Sequence, residues 1–238
     1  VNDLATPNDR AIVVPNNDTL YSSAWYDLQH GDLSIDVPAM DHPDRYWNVM
    51  VLDGYTNVAY VCRRHHGVAG TRVRVTLDPT TPPANDDSNV VTIATPTAWV
   101  IIRVLVESPE DIGTARALQR SIEVTAPNNH PNQRTERAGR ATAIAKSGVN
   151  FYTELKAYID IDPPAPWHPQ LSPAAQAIVD DPSIVATDEL IAGVAEGEQH
   201  IVGLNQADNV SKNGWSTGLS ATGFGPDIVR RAAGAKFG

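Results

Sequence analysis

The spacing of apolar residues changes once along this chain, close to Val106. Before it, apolar and aromatic residues gather in short runs at 11–14, 20–28, 33–37, 45–52, 57–62, 72–77, 90–94 and 98–106. Val, Ile, Tyr and Trp are frequent in them, and Gly, Pro, Asn and Asp separate them, the pattern of strands joined by turns. Within Arg72-Val73-Arg74-Val75-Thr76-Leu77 polar and apolar residues alternate, the period of a strand with one buried face. Asp53-Gly54 stands between two such runs and predicts a hairpin. Eight short strands in about a hundred residues predict a β-sandwich or jelly-roll-like domain over residues 1–106.

Past Val106 the period lengthens. Ser108-Pro109-Glu110-Asp111 predicts a helix start: Ser108 to cap free amides, Pro109 in the first turn, and two acids opposite the positive helix end. Ile112, Ala115, Leu118 and Ile122 then form one apolar stripe. Further helices are expected over 149–159, 187–204 and 227–235, with Asp162-Pro163-Pro164 closing the first and opening a Pro-rich connector. The fold class is therefore α+β, a β-rich sandwich domain at 1–106 followed by a mainly helical segment at 107–238.

Composition narrows the partners. With 42% hydrophobic residues among 238, the chain can bury an ordinary core. A formal net charge of −10 without any basic tract argues against nucleic acid or an anionic membrane as partner. No apolar run approaches the roughly 20 residues of a membrane-spanning helix. The single cysteine, Cys62, leaves no intrachain disulfide and no CxxC site. Neither HExxH nor EF-hand spacing occurs, so no metal and no cofactor are expected. The sequence does not separate a secreted or periplasmic protein from a cytoplasmic one.

Five features could carry chemistry. Gly214-Trp215-Ser216-Thr217-Gly218 fits the G-x-S-x-G elbow, but its flanks are polar or small and all seven histidines precede it, so it reads as a Gly-rich loop. Glu196 and His200 share a helix face, as a solvated ion pair or as two metal ligands. Arg63-Arg64-His65-His66 is a surface loop or an anion clamp. Pro15-Asn16-Asn17-Asp18-Thr19 either closes turns on its own backbone or walls a pocket beside Tyr21 and Trp25. Arg103 interrupts apolar β sequence. It either points inward onto a carboxylate such as Asp18 or Asp53, or occupies the outward phase of its strand.

Val13-Val14-Pro15-Asn16-Asn17-Asp18-Thr19-Leu20-Tyr21-Ser22 resembles the signature of the domain-of-unknown-function 1254 family. Asp27-Leu28, Val37-Pro38, Arg45-Tyr46, Asp53 with Tyr55-Thr56, Gly70, Trp99 with Arg103, and Pro109-Glu110-Asp111 with Ala117-Leu118-Gln119 follow in the family's order. Asn213-Gly214-Trp215 and Arg230-Arg231-Ala232 look like the linker before the family's second β domain, of the 1214 type. The resemblance implies a two-domain β architecture with helices between, and no established reaction. The second β domain would begin near Phe237-Gly238, so a fragment is expected, or a short relative whose missing surface comes from another subunit.

Together these residues place a site for a small polar molecule, such as a carbohydrate, on the β domain. Asp18 and Asp53 are the catalytic candidates, as general acid or base for hydrolysis or lyase chemistry. Asn16, Asn17, Tyr21 and Tyr55 would bind the ligand, and Arg103 would clamp its anionic group. The alternative is a non-catalytic binding or assembly module in which the same segment is structural, working as a homo-oligomer or with a partner that supplies the second domain. The sequence does not decide between enzyme and binding protein.

Overall fold

Strand-forming runs in the first half of the chain pair into two four-stranded sheets whose apolar faces meet. In the computed structural model the described residues are Leu4, Thr6, 16–82, 89–126, 149–207, 210–212 and 215–217. They fall into two units, Val1–Thr135 and Glu136–Gly238.

In the first unit, β1 (Thr19–Asp27), β2 (Leu33–Val37), β3 (Trp47–Leu52) and β4 (Val58–Cys62) precede β5 (Thr71–Leu77), β6 (Val90–Ile93) and β7 (Thr97–Leu105). The strand expected at 11–14 lies outside the described residues. One sheet has the order β1-β7-β3-β4 and is antiparallel throughout. The other has the order β6-β5-β2 and ends on β8 (Glu123–Thr125), with β5 and β6 parallel. The two-residue period puts Val49 and Val51 of β3 on the same side as Val100 and Ile102 of β7. These meet Ile35, Val73, Val75 and Ile93 of the second sheet in one core. Each such buried side chain contributes about 1.5–3 kcal/mol of transfer free energy. Trp47, 1% exposed, also needs a partner for its ring nitrogen. The short helix α1 (Arg63–His66) ends on Gly67 at φ 66, whose carbonyl accepts from Trp47 Nε1 at 3.0 Å.

The first unit continues beyond Val106. Helix α2 (Ile112–Ser121) packs Ala115, Ile112 and Leu118 against Leu20, Val104 and Val106, as the predicted stripe requires. Its Gln119 Nε2 donates to the Tyr21 carbonyl of β1 at 2.9 Å. Strand β8 then pairs with β2, Ile35 opposite Val124. The unit Val1–Thr135 thus includes α2 and β8, both of which follow Val106.

The expected helix start is built differently from the prediction. A 3-10 turn at Pro109–Asp111 precedes α2, and Ser108 makes no side-chain cap bond. The Ser108 hydroxyl instead hydrogen-bonds Glu110 and lowers the pKa of its carboxyl. Asp111 takes the organising part. Its carboxylate accepts from the Glu107 amide at 2.9 Å and from both terminal nitrogens of Arg45. Those contacts, the Arg45 hydrogen bond first, hold the Asp111 carboxyl at about 2, against an ordinary 3.8. The folded state thus favours the charged form. Its contribution is complete above the ordinary value and is lost as the pH falls through about 2. Urea unfolding is expected to show about 2 kcal/mol of Asp111-dependent stability disappearing between pH 5 and 2. An Asp111→Asn chain, already weaker at neutral pH, should lose that much less over the same interval.

The second unit contains α3 (Val149–Ile161), α4 (Pro173–Asp180), α5 (Thr187–Ala207) and a hairpin of β9 (Val210–Lys212) with β10 (Trp215–Thr217). Helices α3 and α5 lie where the period placed them. Helix α4 was not predicted, because Pro173 reads as a breaker. Here Pro173 occupies the first turn, and Ser172 caps it by accepting from the Ala175 amide at 3.2 Å. The helix expected at 227–235 lies outside the described residues. No helix among the described residues is long and apolar enough to cross a membrane.

Candidate functional site

The outer face of the β1-β7-β3-β4 sheet carries a polar row. Tyr21 lies opposite Arg103, Arg103 opposite Asn48, and Asn48 opposite Cys62, one residue from each strand in order across the sheet. Above that row opens a cleft of about 1400 Å³. Pro43 and Tyr46 border it, as do Tyr60, Met50 and α1. Arg103 therefore occupies the outward phase of β7, yet it is half-buried at the cleft rather than in bulk water. Its guanidinium carbon lies 4.8 Å from the centroid of the Tyr21 ring, a cation–π contact, and Nη1 is 3.8 Å from Met50 Sδ. No carboxylate among the described residues forms an ion pair with it.

Charge in the cleft is mainly positive. Arg63 and Arg64 line it together with Arg103, and Asp18 is the one carboxylate among its described lining residues. Arg63 is already engaged, donating to Asp44 at 3.0 Å and to the Pro43 carbonyl at 2.7 Å. Arg64 is exposed. Tyr46 lies above Asn48, whose Nδ2 donates to the Tyr46 hydroxyl at 2.9 Å. Burial raises the pKa of that hydroxyl, and the Arg103 charge offsets part of the shift. Two polar groups lining the cleft are only 5% exposed and have an atom without a hydrogen-bond partner, Thr19 at Oγ1 and Asn48 at Oδ1.

Of the residues expected here from sequence, Asn16, Asp18, Tyr21 and Arg103 line the cleft. The Asn16 side chain is also a turn element, its Oδ1 accepting from the amides of Asp18 at 3.0 Å and Thr19 at 3.1 Å. Asn17 is exposed and is not part of the lining. Asp53 and Tyr55 belong elsewhere. Asp18 adjoins the rung that pairs Thr19 with Leu105, whereas Asp53 follows the rung that pairs Leu52 with Trp99. Six residues of β7 separate the two rungs, roughly 20 Å of strand. A catalytic carboxylate pair needs about 5–10 Å. Asp18 and Asp53 are therefore not such a pair, and neither balances Arg103.

Asp53 is 2% exposed and organises the β3–β4 loop. Its Oδ1 accepts from the Tyr55 and Asn57 amides, each at 2.9 Å, and its Oδ2 accepts from Asn57 Nδ2 at 2.8 Å. Ser216 of the G-x-S-x-G match sits within β10, opposite Ser211, and Gly218 lies outside the described residues. Among the described residues no three His, Cys, Asp or Glu side chains come together as a metal site. Thr19 and Arg64 belong to the polar patch and the cationic cluster noted in the sequence, whereas Asn48, Met50 and Tyr60 were not picked out from it. Asn48 was legible on the same ground as Arg103, a lone polar side chain in apolar β sequence.

A family model described as a protein of unknown function, DUF1254, matches residues 1–126. Among solved structures, a crystal structure of a Vibrio parahaemolyticus protein is similar at TM-score 0.47 and 19% identity, over 82% of this chain and 50% of that one. An uncharacterized protein from Burkholderia cenocepacia is similar at TM-score 0.29 and 16% identity, over 50% of this chain and 32% of that one. The chain thus spans half the length of the Vibrio protein. No curated protein matches it.

Proposed function

The chain belongs to the DUF1254 family, a family of unknown function, and from its own residues we propose that it binds a small polar molecule with an anionic group in the cleft of the first sheet. The observation that carries this reading is Arg103, half-buried on the Tyr21 ring without a carboxylate ion pair among the described residues, and lining an open cavity. A guanidinium in that position has lost part of its hydration and gains most from a carboxylate, phosphate or sulfate brought in by a ligand. Exposed Arg64 adds a second positive charge at the same cleft. Tyr21, Tyr46 and Tyr60 supply aromatic faces with hydroxyl edges, the mixed walls that suit a polar organic molecule. Asp18 is the one carboxylate among the described lining residues, which favours binding over acid–base chemistry by two carboxylates.

Citrate and inorganic phosphate serve as anion probes in titration calorimetry. Arg103→Met is expected to weaken whichever binds by about 10- to 100-fold, the range for hydrogen bonds to a charged group. Equal affinity in the variant would overturn the reading. A second reading, in which this face receives another protein chain, is favoured by the exposure of Tyr46 at 40% and Tyr60 at 37%. The same titration separates the two, since an assembly face would leave both anions unbound.

A further inference from the structure

We infer that the ligand of this cleft is a hydroxylated carboxylate of the sugar-acid class, an inference that rests on the anion-binding reading of Arg103. The reason lies on either side of that residue. Asn48 is its partner on β3, and Thr19 is on β1, two residues from Tyr21 and on the same face. Both are 95% buried, lining the cleft, and each keeps a polar atom unpaired, Oδ1 of Asn48 and Oγ1 of Thr19. An unpaired buried polar group costs about 1–3 kcal/mol, so two of them flanking one cation mark positions where a ligand supplies the missing bonds.

The chemistry of the two groups selects the ligand group. Thr19 can donate and accept. Asn48 Nδ2 donates to the Tyr46 hydroxyl, which leaves its carbonyl as an acceptor; the opposite amide orientation would leave a donor instead. A hydroxyl satisfies either orientation, whereas an ammonium satisfies only the first. Both atoms are covered, so a ligand reaches them only as the groups over them shift. A carboxylate on Arg103 with hydroxyls to both sides then fills all three positions, and this is the pattern of an aldonic or uronic acid. A plain alkyl acid would fill only the first.

Gluconate and hexanoate have the same number of carbons and one carboxylate each, and only gluconate carries hydroxyls. In titration calorimetry gluconate is expected to bind at least about tenfold more tightly than hexanoate. Thr19→Val replaces an unpaired hydroxyl by a methyl of the same shape, so it should leave the melting temperature unchanged or higher. It should also lower gluconate affinity severalfold and leave that of hexanoate alone. Equal affinity for the two acids, both lost in Arg103→Met, would overturn the sugar-acid class and leave the anion site standing. Binding of gluconate that ignores Arg103→Met would overturn both.

Discussion

Replacing Arg45 with methionine is expected to lower the unfolding free energy by about 3–5 kcal/mol, the range for removing one partner of a buried ion pair. Arg45 is 1% exposed, and all five of its side-chain N–H groups are used. Nε and Nη2 donate to the two oxygens of Asp41 at 2.9 and 2.6 Å. Nη2 also donates to Asp111 Oδ1 at 2.7 Å, and Nη1 donates to Asp111 Oδ2 and to the Leu105 carbonyl at 2.8 Å. Methionine has similar bulk and none of these donors. It leaves Asp111, with a side chain 16% exposed, facing Asp41 without a cation between them. Lysine restores the charge but not the planar fork, so Arg45→Lys should recover only part of the loss. The damage reaches the cleft as well. Arg45 ties the loop that carries Pro43 and Tyr46 to the end of β7, two residues beyond Arg103. Urea unfolding at pH 7 measures the cost, and a change below about 1 kcal/mol, typical of a surface pair, would show that the cluster is solvated.

How much of this was legible in the sequence depends on what each signal reports. Alternation and turn residues report local conformation, and so β1 to β7 and the stripe of α2 lie where the pattern put them. Strand β8 has only three residues, and its partner β2 is far back in the chain, a pairing no local pattern encodes. The candidate site divides along the same line. Arg103 stood out as a charge in apolar β sequence, with its face left open, and Tyr21 as an aromatic beside the polar patch at 15–19. Neither signal says which end of the sheet a turn will occupy. Asp18 and Asp53 are both turn acids beside strands that flank β7, and only the register separates them by the length of β7. Asn48 was missed although its context matches that of Arg103. A charge in apolar sequence demands an explanation, whereas a neutral amide there is tolerated if it finds a partner.

Asp53 provides the sharpest test of that division, because a catalytic and a structural carboxylate respond oppositely to the same change. As a loop organiser, Asp53 accepts three hydrogen bonds while buried, and its backbone carbonyl accepts from the Thr56 amide at 3.0 Å. Thr56 sits at φ 62, a left-handed conformation that a β-branched residue adopts only under constraint. Holding it there costs of order 1–3 kcal/mol, which the Asp53 contacts must offset. Asp53→Ala removes three charge-assisted bonds and orphans two backbone amides, so it is expected to cost about 2–4 kcal/mol in urea unfolding. Asp53→Asn keeps an oxygen for those amides. Asn57 can turn its own amide so that its oxygen meets the new nitrogen, and the expected cost falls to about 1 kcal/mol. Neither change should alter citrate or gluconate affinity by more than about twofold, because Asp53 lies five residues beyond Asn48, roughly 16 Å along the strand from the Arg103 row. A catalytic or ligand-binding Asp53 would give the reverse, with stability nearly intact in Asp53→Asn and function lost.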